Sequence, residues 1–312
     1  MSSEDLKTDA SDAQQASATT GYLDPATLEE LGSMHIRARM LADGIIAGLH
    51  RSPHKGGSVE FAEYKEYAPG QDIRHIDWKV FAKSDRLVIK QFEDETNLRI
   101  YLIMDGSGSM DYASEDAPLT KLRYCSFLAA TFAYLFLRQG DAVGALSFDD
   151  RVRQYLPAST RSSHLEDLFY LFDHLQSGRG THMEEALRTI AERARPRSLL
   201  MIFSDMLDAN EEILKFINVL RSRKFDVALF HIMDQAELDL PFEGLTQFEG
   251  MEGEEQALLV DPDDLRDRYK ALMREHIEQI RAACERGNVE YIRAQTGMAI
   301  EEVALKFLRG RT

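Results

Sequence analysis

The sequence predicts an α/β protein: an open, mostly parallel sheet with helices on both faces and one antiparallel edge strand, preceded by a small N-terminal α+β module. Three observations carry this. From Leu98 onward, short continuous apolar runs alternate with helical stretches, as they do where a parallel sheet is covered on both faces. The longest apolar run, "YCSFLAATFAYLFL" from Tyr124 to Leu137, is too short to span a bilayer and contains Ser126 and Thr131, so it reads as a buried core helix. The chain has 312 residues, 44% of them hydrophobic, enough to bury a sizeable core.

The elements follow in order. The run "LRIYLIM" predicts a strand over 98–104, and the oily helix runs from Lys121 to Arg138. A second strand covers 142–148. After the Asp149-Asp150 turn, residues 152–156 pair with it as an antiparallel edge strand. Residues 163–176 are helical, with Leu165, Leu168, Phe169 and Phe172 on one face. Thr181 opens another helix, which ends near Arg195 because Pro196 follows. A buried strand over 198–204, a helix over 210–222 and a strand over 226–232 come next. Residues 241–261 then read as a β-hairpin insertion. A long helix over 263–284 presents Leu265, Tyr269, Leu272, His276, Ile280 and Ala283 on one face, with His276 as a satisfied core histidine. A strand over 288–293 and a helix to about Leu308 close a domain spanning 98–312. Sheet alternation and right-handed crossovers make the five strands other than 152–156 parallel.

Upstream, residues 1–20 read as a disordered tail and 21–97 as the α+β module. "GSVEFAEYKEY" and "RLVIKQFEDE" are its strands. Between them Asp72 can cap a short helix through Lys83, with Trp78 packed between module and sheet.

The formal net charge of −16, from 53 acidic and 37 basic side chains, disfavours nonspecific nucleic-acid binding and favours cations or basic partner surfaces. Cys125 and Cys284 lack metal-ligand spacing and read as reduced core thiols. The N-terminal stretch has no apolar leader segment and no transmembrane run is found, so a cytoplasmic location is expected.

The stretch "LIMDGSGSMD" ends a buried strand with Asp105, Ser107 and Ser109 on alternate residues. A polar turn, a phosphoryl-transfer aspartate and half of a cation site are all open. A phosphoryl-transfer aspartate wants a second acid two residues on, where Ser107 stands, and the P-loop pattern is absent. Two further polar residues, Thr181 in "SGRGTHMEEAL" and Asp205 in "LLMIFSDMLD", fall at the same edge of the sheet, where open α/β sheets bind ligands. Hard oxygens without His or Cys suit Mg²⁺, with Mn²⁺ as a substitute. His231, Asp234 and Glu237 follow a strand at that edge.

The D-x-S-x-S pattern of Asp105, Ser107 and Ser109, with Thr181 and Asp205 downstream, is similar to the metal-ion-dependent adhesion site of von Willebrand factor A (vWA) domains. The upstream stretch "EYAPGQDIRHIDWKVFAKSDRLVIKQFEDE", holding Asp72, Arg74, Asp77 and Trp78, resembles the signature of a bacterial vWA-like family of unknown function, often encoded beside MoxR-type AAA+ ATPases. The resemblance implies a Rossmann-like vWA sheet and a non-enzymatic module that uses Mg²⁺ to hold a MoxR-type ATPase or a client protein, through a partner Asp or Glu at the metal. The rival expectations are a Mg²⁺-dependent phosphohydrolase, for which only Arg179 and His182 lie close in sequence, and a structural domain whose metal site is unused.

Overall fold

The computed structural model describes residues 22–50, 64–66, 88–90, 98–178, 180–209, 211–251 and 257–311. The chain divides into two compact units, one of residues 52–97 and one holding the rest. In the smaller unit β1 (Tyr64–Glu66) pairs antiparallel with β2 (Val88–Lys90), Tyr64 opposite Lys90. Both strands fall in the two stretches expected to form them. The tail 1–20, the helix expected after Asp72 and Trp78 all lie outside the described residues.

The larger unit is built on a six-stranded sheet in the order β10-β7-β6-β3-β4-β5. Its strands are β3 (Arg99–Asp105), β4 (Ala142–Phe148), β5 (Val152–Ser159), β6 (Leu199–Ser204), β7 (Asp226–Met233) and β10 (Glu290–Gln295). All neighbours are parallel except β4 and β5. This is the sheet the alternating sequence predicts, with its single antiparallel edge.

Period-2 alternation explains why both faces need cover. Ile100, Leu102 and Met104 of β3 join one apolar cluster, while Tyr101 and Ile103 join the other. Strand β6 divides the same way, with Leu199, Met201 and Phe203 on one side and Leu200 and Ile202 on the opposite side. The first cluster is covered by α3 (Lys121–Arg138), α4 (His164–Asp173) and α9 (Ile300–Arg309). Here Phe230 of β7 contacts Phe203, Phe132 and Phe307 at ring-centroid distances of 4.7, 5.5 and 5.4 Å. The second cluster is covered by α5 (Met183–Arg193), α6 (Glu211–Ser222) and α8 (Pro262–Arg286). Cys125 and Cys284 are buried free thiols, one under each set of helices. No helix among the described residues is long and apolar enough to cross a membrane.

Four expectations need revision. Residues 22–50 do not belong with the strands of the small unit. They form α1 (Pro25–Glu30) and α2 (Met34–His50), which join the larger unit because Met34, Ala38, Leu41, Ala42 and Ile45 of α2 are buried in its first cluster. Apart from Pro262 at its first turn, α8 is buried in its C-terminal half, through Ile277, Ile280, Ala283 and Cys284. Leu265 and Leu272 are exposed beside the hairpin of β8 (Thr246–Phe248) and β9 (Leu258–Val260). His276 is half-buried rather than in the core. A short helix absent from the expected set, α7 (Gln235–Asp239), follows β7 and is held by an Asp234–Glu237 capping box.

Candidate functional site

The chain leaves β3 toward β4 on one side and returns to β6 on the other, so strand order reverses between β3 and β6. The crevice at such a switch point, outside the carboxyl ends of the strands, is where open α/β sheets place ligands. Asp105 closes β3, and Asp205 follows β6 directly.

The loop after β3 is tied on both sides. The Gly106 N–H donates to the Phe148 carbonyl (2.7 Å), and the Gly178 N–H donates to the Gly106 carbonyl (2.8 Å). The Ser107 N–H donates to Asp105 Oδ1 (2.9 Å), an Asx-type turn. The chain then tightens into a 3₁₀ turn over Gly108–Asp111. The turn brings the Ser107 and Ser109 hydroxyls to 3.1 Å. The alternate oxygens therefore meet through a turn rather than along an extended segment. Gly108 is required by close approach: a Cβ there would stand 2.3 Å from the Met251 carbonyl oxygen at the hairpin.

Asp105, Ser107, Ser109, Thr181 and Asp205 all line one small cavity, joined by Ser204, which encloses about 10 Å³. That is about the room one water-sized sphere needs. Asp105 and Asp205 are 2% and 3% exposed. The Thr181 hydroxyl oxygen is buried without a hydrogen-bond partner among the described residues. Among the described residues no group of three or more His, Cys, Asp or Glu side chains is placed to hold a metal ion.

The electrostatics follow from burial. Desolvation, and then the neighbouring Asp205 charge, push the Asp105 carboxyl up to about 7, despite the Ser204 hydroxyl donating to its Oδ2 at 2.6 Å. Lys121, wholly buried at the start of α3, donates to Asp205 Oδ2 (2.7 Å) and to Glu237 Oε1. Burial alone would lower its pKa, but the two carboxylates more than offset this and raise it, so the ammonium stays charged. Three carboxylates and one ammonium leave two negative charges when all are ionised.

Behind the cavity, His231 donates from Nε2 to the Asp205 carbonyl (2.8 Å) and accepts at Nδ1 from the Tyr291 hydroxyl (2.8 Å). Burial lowers this histidine to about 4, so it is neutral. Asp234 accepts from the Thr296 hydroxyl at 3.0 Å, and the Asp234 N–H donates to Glu237 Oε2 at 2.8 Å. These three residues brace the loops from within rather than rimming the edge. His182 is exposed and hydrogen-bonded to the Asp150 carbonyl, and Arg179 lies outside the described residues.

A family model described as "Protein of unknown function DUF58" matches residues 63–279. The chain belongs to this family. Among relatives of this DUF58 chain, the uncharacterized protein Rv1480 of Mycobacterium tuberculosis and Mb1516 of Mycobacterium bovis are each 25% identical over 252 residues, covering 79% of this chain and 77% of theirs. Among solved structures, the conserved hypothetical protein BatB of Bacteroides thetaiotaomicron is 13% identical with a TM-score of 0.47, covering 68% of this chain and 98% of that one. An aerotolerance-related membrane protein of Bacteroides fragilis is 16% identical with a TM-score of 0.44, covering 69% of this chain and 100% of that one. The vWA domain of SpRpn10 is 9% identical with a TM-score of 0.39, covering 67% of this chain and 94% of that one.

Sequence reasoning missed Lys121, Ser204 and the pairing role of Glu237 in this DUF58 chain. A signal for Lys121 was present. A cation at the first position of an oily helix opposes the helix dipole, so its placement asks for a carboxylate partner. Ser204 carried no signal beyond ending its strand.

Proposed function

We propose that this DUF58 chain is a non-catalytic protein-binding module whose cavity at the β3–β6 crevice takes Mg²⁺. The observation that carries the proposal is the convergence of Asp105, Ser107, Ser109, Thr181 and Asp205 on one cavity of about 10 Å³. The donors are hard oxygens only, which suits Mg²⁺ better than a soft-ligand metal. The buried, unpartnered Thr181 hydroxyl and the raised Asp105 carboxyl both describe a site that a cation would satisfy. The surplus of two negative charges left by Asp105, Asp205, Glu237 and Lys121 matches a divalent ion.

Asp105, Ser107, Ser109 and Thr181 would hold the ion. Asp205, already bonded to Lys121, would act with them. The ion supplies a positive centre on which a partner's Asp or Glu can place its charge. An amide gains no such charge–charge attraction, so the site selects carboxylates. By resemblance the partner is a MoxR-type AAA+ ATPase, and the pair acts in maturation or remodelling of a client protein.

Titration calorimetry of the purified chain with its cognate ATPase tests this. Binding is expected in Mg²⁺ or Mn²⁺, to vanish in EDTA, and to vanish in Asp105→Ala or Thr181→Ala protein that keeps its native circular dichroism. Equal affinity with and without metal would overturn the proposal.

A further inference from the structure

The amino end of the sheet, opposite the cation cavity, carries a groove of about 640 Å³ between the turn that enters β6 and the turn that enters β7. Buried Ala194 and Phe225 supply its apolar lining, and exposed Arg197, Arg223 and Lys224 its charge. Arg195, also exposed, stands two residues before Arg197. None of these four side chains makes an ion pair or side-chain hydrogen bond among the described residues. Nearby Arg221, by contrast, is tied to Asp226 and to the Phe225 carbonyl. A chain of net charge −16 therefore gathers unpaired cations at one place.

Their backbones make the placement more telling. Arg197 and Lys224 both have φ of 67°, the left-handed region where a side chain is disfavoured. Arg197 follows Pro196, so it takes the turn position that normally goes to glycine. Lys224 sits just past α6, with the Phe225 N–H bonded to the Leu220 carbonyl (3.1 Å) and the Lys224 N–H to the Arg221 carbonyl (2.9 Å). That is a Schellman motif, and its left-handed position is again a glycine position. The two turns are joined by the Arg197 N–H donating to the Lys224 carbonyl at 2.7 Å. At two linked positions where glycine is the relaxed residue, the chain carries long cations with no partner among the described residues. Strain kept without an internal partner points to a function outside the fold.

We propose that this groove binds a short Asp/Glu-rich segment of a partner protein. Guanidinium groups pair carboxylates in a bidentate fork, and two of the three lining cations are arginines. Size decides against larger polyanions. Charges are screened over about 8–10 Å at physiological salt. A short peptide meets only the local cations within that range. A nucleic-acid duplex or an anionic bilayer extends well beyond it and meets the acidic remainder of the surface.

The test is fluorescence anisotropy of a labelled alternating Glu-Gly peptide, in EDTA so that the cation cavity takes no part, with a Gln-Gly peptide as control. The Glu peptide is expected to bind at low ionic strength and to be released by salt, and the Gln peptide to stay free. The Arg197→Gly/Lys224→Gly variant is expected to lose about tenfold in affinity. It should also melt no lower than the native protein, since glycine relaxes both turns. Arg223→Glu, which leaves both strained backbones alone, should weaken binding as well. Equal binding of the two peptides, unchanged affinity in both variants, or variant-sensitive binding of duplex DNA or phosphatidylglycerol vesicles in preference to the Glu peptide would each overturn the proposal.

Discussion

The two ends of one sheet treat charge in opposite ways. At the carboxyl end, Asp105 and Asp205 are buried and Lys121 is brought in beneath them, bridging Asp205 and Glu237. At the amino end, Arg197, Arg223 and Lys224 stand exposed without partners among the described residues, two of them on left-handed backbone. Desolvation makes the first arrangement costly to disturb, because a buried charge without its counter-charge has no water to fall back on. Exposure makes the second cheap to hold electrostatically, and its cost lies in the backbone. Changes at the carboxyl end should therefore act mainly through folding and metal, and changes at the amino end through partner affinity.

The largest effect is expected at Lys121. Lys121→Met keeps the stem's volume but leaves Asp205 and Glu237 buried together without a cation. Removing one member of a buried ion pair costs about 3–5 kcal/mol. Urea unfolding in EDTA should show that loss, and Lys121→Met/Glu237→Gln should recover part of it. Added Mg²⁺ should stabilise the single variant more than the native protein, since the metal would then supply the missing positive charge. A neutral Lys121→Met would erase the contrast between the ends.

Second comes pH. His231 titrates at about 4 when folded and near 6.5 when free. Between those values the unfolded chain binds the extra proton, so this histidine contributes a loss of stability as pH falls from about 6.5 toward 4, of ~3 kcal/mol at most. Asp105 works in the opposite sense in metal-free protein. Its folded carboxyl takes a proton at about 7, above its unfolded value of 3.8, so acidification through that window favours the folded state. Imidazole NMR should find His231 still neutral at pH 5.5. A protonated His231 there would mean that the carboxyl end is wetter than its burial implies.

The third effect is steric. Gly108→Ala places a Cβ 2.3 Å from the Met251 carbonyl oxygen, so either the Ser107–Ser109 turn or the hairpin must move. A loss of about 1–3 kcal/mol is expected, as for other overpacked positions, together with weaker Mg²⁺ binding. Unfolding and metal titration on the same variant check both. Unchanged metal affinity would separate the turn from the cavity.

The same contrast explains what the sequence made legible. Strands of the main sheet could be read because residues buried on both faces are apolar without interruption, as in "LLMIFS" and "DVALFHI". The convergence of Asp105, Ser107, Ser109, Thr181 and Asp205 followed from topology, since each stands at the carboxyl end of a strand or the start of a helix at that edge. The position of Lys121 at a helix start asked for a carboxylate, but its partners were hidden because they lie 84 and 116 residues away and nothing local names them. Helix α2 was not read from the sequence at all, and its residues were placed with the wrong unit for a similar reason. An apolar stripe says that a face is buried but not against what. The cations at the amino end were visible as residues, but their left-handed backbones were not, because nothing in the residue type Arg or Lys announces a positive φ.

The smallest expected effect is the most discriminating, and it has the opposite sign. Lys224→Gly removes a side chain from a Schellman position whose φ is 67°. In the left-handed region a Cβ crowds the following carbonyl, at a cost of about 1–2 kcal/mol relative to glycine. Against that, glycine gives the unfolded chain more freedom, which returns several tenths of a kcal/mol. The net is a gain of about 0.5–1 kcal/mol in folding stability. No ion pair is lost among the described residues, because Lys224 makes none there. Thermal unfolding should therefore place Lys224→Gly slightly above the native protein, whereas Lys121→Met falls well below it. The two lysines lie at opposite ends of one sheet, one wholly buried and paired, the other exposed and unpaired among the described residues. If Lys224→Gly destabilised the fold, Lys224 would be serving the fold after all, and the strain at the amino end would no longer argue for a partner.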